Sequence, residues 1–264
     1  VRIADITSSR HIVARRPISY HGFHAYHSNH QEAPLKFDAI PSGVYPELIY
    51  PPYKSTLKRG PTQPLLRIRA DQPVQDNLVP SPRILLPNDM DLTAHGNGAP
   101  LGEKIVVTGR VVDEDGKPVR NSLLEVWQCN SAGRYWHKKD QHDAPLDPNF
   151  YGIGKMMTDD DGRYRFVTIK PGPYPWGNHD KAWRPAHIHF SLFGNVYAQR
   201  LVTQMYFPSD PLFDYDPIFQ SIPDLAARQR LVSRYSLEHT DSDKMLGYEF
   251  DIVLRGRDAT PMGL

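Results

Sequence analysis

The sequence has 264 residues, with 31 lysines and arginines against 30 aspartates and glutamates, a formal charge of +1 with histidines neutral. Such a balance excludes the basic excess of a nucleic-acid or anionic-membrane binder. With 39% hydrophobic, 11% aromatic and 23% charged residues, it also excludes disorder throughout. The single cysteine, Cys129, allows neither an intrachain disulfide nor a thiolate zinc cluster, so any metal falls to His, Tyr or carboxylate. No apolar run approaches the ~20 residues of a membrane helix, and the N-terminal stretch has no signal-peptide core. Both points favour a cytoplasmic protein without a membrane partner. The 25 prolines, nearly double the usual ~5%, are scattered, which argues against long helices over most of the chain.

Residues 1–100 read as an irregular, Pro-rich N-terminal arm that packs on a partner and on the core. Its aromatics, among them Tyr20, Phe23, Tyr26, Phe37, Tyr45, Tyr50 and Tyr53, are more than a disordered tail usually carries. Within it His21, His24, His27 and His30 recur every three residues, a spacing that fits neither α-helix nor strand. This cluster reads as a solvated or partner-facing stretch, with transition-metal binding as the alternative.

Residues 101–264 read as an antiparallel β-sandwich with one or two short helices. Strands are expected over 105–112 and 122–129. A hairpin is expected to join 156–158 to 163–167 through Asp161-Gly162, where glycine supplies positive φ. Further strands are expected over 186–193, 199–207 and 248–254, and one helix over 223–235, with Pro223 in its first turn.

The strongest chemical signal is Trp183-Arg184-Pro185-Ala186-His187-Ile188-His189-Phe190. Histidines two apart on a strand share one face, about 6.6 Å apart, and can converge on a metal. Ile188, Phe190 and Leu192 form the opposite, apolar face. Upstream, prolines flank Tyr174 in Lys170-Pro171-Gly172-Pro173-Tyr174-Pro175-Trp176, which fixes that tyrosine in a loop and keeps it out of a sheet interior. Tyr135 follows the Ser131-Ala132-Gly133 turn. Alternating with Trp127 and Glu125, Cys129 reads as a small buried hydrophobe. No Ser-His-Asp constellation, phosphate loop or dinucleotide fingerprint is present.

These two segments, together with Thr108-Gly109-Arg110-Val111, Asp115-Gly116-Lys117-Pro118, Glu125-Val126-Trp127-Gln128, Gly133-Arg134-Tyr135, Leu146-Asp147-Pro148-Asn149-Phe150 and Phe250-Asp251-Ile252-Val253-Leu254-Arg255-Gly256, resemble the intradiol ring-cleaving dioxygenases. The resemblance runs over residues 50–258 and is nearest to the iron-bearing subunits of heteromeric members. It implies one non-haem Fe(III) per chain, held by Tyr135, Tyr174, His187 and His189, with O₂ as co-substrate. Two phenolates, two neutral imidazoles and one hydroxide balance the charge of Fe(III), and hard anionic donors suit the ferric ion.

The resemblance further implies that Tyr174 is ligand and base in turn, and that Arg184 stabilises negative charge beside the ring, with a structural ion pair as its bland alternative. Trp176 and Gln204 match pocket positions, and Tyr53 and Ile218 match positions facing the ring substituent. The implied reaction is cleavage of protocatechuate between its hydroxyl-bearing carbons to 3-carboxy-cis,cis-muconate. The alternatives are another 4-substituted catechol such as 4-sulfocatechol, or a non-catalytic β-sandwich binding module. The implied partner is a homologous α subunit in a larger symmetric oligomer, with a homo-oligomer as the alternative. Gly177 and Trp136 stand where the family commonly has arginine, departures that bear on the pocket mouth and leave the ligands unchanged.

Overall fold

The alternation of apolar residues becomes two facing sheets. A computed structural model of the chain describes residues 40–60, 62–64, 89–177, 182–193 and 200–262. The histidines between His21 and His30 lie outside them. The first sheet is built on β1 (Lys104–Val112), which pairs antiparallel with β4 (Arg163–Ile169) on one side. On its other side it runs parallel first to β10 (Met245–Glu249) and then to β11 (Ile252–Val253), and β9 (Arg234–Asp241) lies beyond β10. The second sheet, antiparallel throughout, has the order β3 (Ile153–Met157), β2 (Leu123–Trp127), β7 (His187–Phe193), β8 (Arg200–Tyr206). A two-residue ribbon, β5 (Tyr174–Pro175) with β6 (Trp183–Arg184), completes the set.

The sheets bury one core between them. β1, β4 and β10 contribute Ile105, Val107, Val111, Tyr164, Phe166 and Tyr248; the second sheet contributes Leu124, Val126, Met156, Ile188, Phe190, Leu192 and Met205. Edge-to-face contacts of Phe190 with Tyr164 and Phe166 tie the layers together at ring separations of 5.9 and 6.0 Å. Each such pair contributes about 0.5–1.5 kcal/mol beyond burial alone. A smaller cluster of Val44, Tyr206, Phe219, Ile222, Ala227 and Leu231 packs the described part of the N-terminal region against the helical segment.

The sandwich is as expected, with the parallel pairings of β1 as its departure from an all-antiparallel plan. Other details differ. Asp159-Asp160-Asp161-Gly162 does turn, with Gly162 at φ +74°, but β3 pairs with β2 and β4 with β1. The turn is therefore a corner between sheets, where a hairpin was expected.

The expected helix 223–235 is only α2 (Leu225–Gln229), capped by Asp224, and Pro223 precedes the cap. The backbone of 231–233 is instead taken by β8: Tyr206 N–H donates to the Leu231 carbonyl and Ser233 N–H to that of Tyr206. Ahead of it lies α1 (Pro217–Gln220). The strand over 248–254 breaks at Phe250-Asp251, where the Asp251 carboxylate accepts the Arg110 N–H at 3.0 Å. Among the described residues no helix is long and apolar enough to cross a membrane.

Candidate metal centre

Because side chains alternate along a strand, the outer face of the second sheet collects what its core face rejects. In β7 that face carries His187 and His189. Directly across on β8 stand Tyr206 and Gln204, and Trp127 on β2 pairs with His189. Two loops bring phenols over this face. Tyr135 follows the 131–133 turn, and Tyr174 sits on the ribbon, where its register partner is Arg184.

The loops meet backbone to backbone. Gly133 has φ +81°, and a Cβ there would sit 3.1 Å from that of Tyr174; one on Gly172 would lie 2.8 Å from the Gly133 nitrogen. Asn130 fastens the turn: its side-chain oxygen accepts from the Ala132 and Arg134 N–H groups, and its carbonyl accepts from Gly172 N–H at 3.0 Å.

The result is a cluster of four rings. Centroids are 5.5 Å apart for Tyr135 and Tyr174, 5.5 Å for Tyr174 and His187, 4.8 Å for His187 and His189, and 6.4 Å for Tyr135 and His189. His187 Nδ1–H donates to the Pro185 carbonyl at 2.7 Å, which turns the Nε2 lone pair to the Tyr174 hydroxyl 3.3 Å away. Such a carbonyl partner fixes both tautomer and ring orientation in a metal-binding histidine. The His189 ring stacks on Trp127 at 4.8 Å and 2°.

Burial keeps all four rings uncharged in the absence of a cation. Desolvation, then the neighbouring Tyr174, holds the Tyr135 phenol well above its ordinary pKa, and desolvation raises Tyr174 against the opposing field of Arg184. Desolvation and then Arg184 hold His187 well below the usual imidazole value and bring His189 to about 3. The Tyr135 hydroxyl is buried without a hydrogen-bond partner among the described residues. Two phenols that only a highly charged cation would ionise, beside two neutral imidazoles, make a donor set that fits a trivalent ion.

Arg184 is buried and ion-paired with Asp216, also fully buried, at 3.0 Å. Its Nε and Nη2 both donate to Asp216 Oδ2, Nη2 also donates to Gln204 Oε1, and the Tyr206 hydroxyl oxygen lies 3.0 Å from Nη2. Arg184 thus forms the structural ion pair, and its register partner on the ribbon is Tyr174. Trp176 lies 6.0 Å from its guanidinium, and Tyr53 meets Trp176 edge-to-face at 4.9 Å. Ile218 is buried on α1.

Clefts of about 640 and 400 Å³ open beside Tyr135 and Tyr174. The first continues to Trp176 and Gly177, the second to His189, Trp136 and Tyr151. A larger hollow of about 990 Å³ lies on the solvent face of the first sheet and touches none of the four rings. At Gly177 an added Cβ would meet nothing within 4 Å, and Trp136 is half exposed against Tyr151.

Three residues of this region are not among the expected site residues. Trp127 was visible as an outward position on β2. Asp216 before Pro217 is an N-cap followed by proline at N1, a recognisable helix start. Tyr206 gives no signal beyond strand alternation. Cys129 is buried as expected, just past β2, its thiol pushed up to about 12 by desolvation.

The sequence model described as Dioxygenase matches residues 80–256, and one described as Protocatechuate 3,4-dioxygenase beta subunit N terminal matches residues 40–71. The chain belongs to the intradiol ring-cleaving dioxygenase family, and it is an oxygenase of that class. It is 64% identical to the Protocatechuate 3,4-dioxygenase beta chain of Burkholderia cepacia over 83% of this chain and 93% of the relative. It is also 30% identical to the Protocatechuate 3,4-dioxygenase alpha chain of Pseudomonas putida, over 60% of this chain and 75% of that one. In fold it matches the crystal structure of 3-chlorocatechol 1,2-dioxygenase from Rhodococcus opacus 1CP, with a TM-score of 0.50 and 24% identity, covering 64% of this chain and 66% of that one.

Proposed function

We propose that this chain is the iron-bearing subunit of an enzyme that cleaves protocatechuate with O₂ between its two hydroxyl-bearing carbons, giving 3-carboxy-cis,cis-muconate. The observation that carries the reading is the buried cluster of two phenols and two neutral imidazoles, with its orphaned Tyr135 hydroxyl. Tyr135, Tyr174, His187 and His189 would hold one Fe(III), which when bound withdraws electron density from a catecholate and makes its ring reactive toward O₂.

The chain's own groups do the rest. As a ligand Tyr174 would be the phenolate; on leaving the cation its Oη would take a catechol hydroxyl proton, and its buried surroundings, which favour the neutral phenol, would keep that proton there. Arg184, immobilised by its partners, offsets negative charge that develops on the ring. Gln204 lies against it. Trp176 flanks the ring, while Tyr53 and Ile218 face its substituent.

Residues 1–100 form, in this reading, an arm lying on the catalytic domain 101–264 and on a homologous α subunit. The apolar surface at the mouth supports a partner there: Trp136, Leu146, Tyr151 and Ile153 are 43–56% exposed. The similarity to both a beta and an alpha chain supports the same pairing. The chain made alone is expected to be inactive or to aggregate, and to be rescued by co-expression with an α-type chain. A monodisperse, fully active monomer in light scattering would overturn that expectation.

The activity is tested by elemental analysis, colour and oxygen uptake on the co-expressed protein. Close to one iron per chain, a visible phenolate-to-iron absorption band, and uptake with protocatechuate exceeding that with 4-sulfocatechol or catechol are expected. A colourless protein without iron would return the chain to the binding-module reading, and active protein holding stoichiometric zinc or copper would end the iron assignment.

A further inference from the structure

One carboxylate holds together parts of the site that come from three separate elements. Asp216 Oδ2 accepts two hydrogen bonds from Arg184 on β6, at 3.1 and 3.0 Å, and one from the Tyr206 hydroxyl on β8 at 3.0 Å. Its other oxygen, Oδ1, accepts the Ile218 N–H at 2.9 Å and so caps α1. Arg184 in turn donates to Gln204 Oε1, which also lies 3.1 Å from the Tyr206 hydroxyl oxygen. With the Arg184 guanidinium donating to its oxygen, the Gln204 amide has a fixed orientation, and its Nε2 end is the one turned away from the arginine cluster. The side chains of Asp216, Arg184, Gln204 and Tyr206 are all buried, so water cannot substitute for any of these bonds.

We propose that Asp216 is the positioning residue of this site: it fixes the Arg184 guanidinium, through Arg184 the amide of Gln204, and through its second oxygen the helix that carries Ile218. The proposal rests on the reading of Arg184 as the group that offsets charge on the ring. Asp216 meets no substrate atom in this scheme. Its effect is to remove the freedom of a long side chain that would otherwise have to be ordered during the reaction. Burying a charged pair brings little stability by itself, so its value lies in where it holds the arginine.

The test uses the co-expressed, iron-loaded protein. Asp216→Asn keeps the shape of the side chain and an oxygen for the α1 cap but removes the anionic acceptor. Iron content, the visible absorption band and KM are expected to stay near wild type while kcat falls about 100-fold, the loss typical of one misplaced electrostatic donor. Added to Arg184→Gln, the same substitution should cost no more than about twofold further, since both act through one guanidinium. Wild-type kcat in Asp216→Asn, or full multiplication of the two losses, would overturn the proposal.

Should Asp216→Asn fail to fold, Asp216→Glu keeps the charge and shifts the carboxylate by one methylene. It is expected to hold iron with kcat reduced at least about tenfold, and wild-type kcat there counts equally against the proposal. A parent protein that binds no iron or cleaves no catechol would instead fail the functional reading, before any variant is compared.

Discussion

His187→Ala is expected to abolish iron retention, whereas Tyr174→Phe is expected to keep most of the iron and lose turnover. The difference comes from what holds each ring. His187 is buried, its Nδ1–H is committed to the Pro185 carbonyl, and its Nε2 is thereby aimed at the Tyr174 hydroxyl. Alanine removes a pre-oriented donor and leaves a void that no neighbour on a β-strand can fill. Tyr174 sits on a two-residue ribbon at the edge of the site, and phenylalanine keeps its packing against Tyr135 and His187. What phenylalanine loses is the atom proposed to accept the substrate's proton, and removing a general base typically costs about 10²–10⁴-fold in rate. Metal analysis and kcat on the same preparations decide the matter. Full turnover in Tyr174→Phe would remove the base role, and an iron-replete, active His187→Ala would remove the ligand role.

Three of the four rings stand in local patterns with a physical reading, histidines two apart on a strand and a tyrosine locked between prolines, whereas Tyr135 was reached only through the family resemblance. Their convergence was not legible, since it depends on a turn and a loop, 131–133 and 171–173, packing backbone to backbone through two glycines. The apolar alternation that predicts β7 and β8 also predicts which face is left for chemistry. It fails for β9, in which Ser236 is the buried residue and Leu237 is largely exposed, so the strand has no apolar rhythm to read. It fails again for the ribbon β5–β6, too short for any period, although that ribbon makes Tyr174 and Arg184 register partners. Asp216 lay within reach as an Asp-Pro helix start, yet its Oδ2 serves a residue 32 positions away in sequence, and no local pattern reports that.

Gly109→Ala is expected to be the most damaging single-methyl change in the framework. Gly109 lies on β1 between the segment paired with β10, which ends at Thr108, and the segment paired with β11, which begins at Val111. Its cross-strand partner is Tyr164, whose buried hydroxyl donates to the Phe250 carbonyl directly over the glycine. A Cβ at 109 would collide with that carbonyl oxygen and stand 2.7 Å from both the carbonyl carbon and the tyrosine hydroxyl. Two of these three contacts are backbone, so relief requires moving the 250–251 break or abandoning the hydrogen bond. Overpacking costs about 1–3 kcal/mol, and stranding a buried hydroxyl and carbonyl costs about 1–3 kcal/mol more.

A loss of about 2–6 kcal/mol is therefore expected, or roughly 10 °C in melting temperature for a domain of this size. Gly116→Ala is the control. That residue has φ +77° but open space around it, so only the backbone cost of about 1–2 kcal/mol applies. Removing the obstructing hydroxyl with Tyr164→Phe should recover part of the Gly109→Ala loss, a coupling that independent sites would not show. Denaturant unfolding of wild type, the three single variants and the Gly109→Ala/Tyr164→Phe double variant measures these differences. A Gly109→Ala loss no larger than that of Gly116→Ala would mean that the seam between β10 and β11 yields freely, and that the Tyr164–Phe250 contact does not hold it closed.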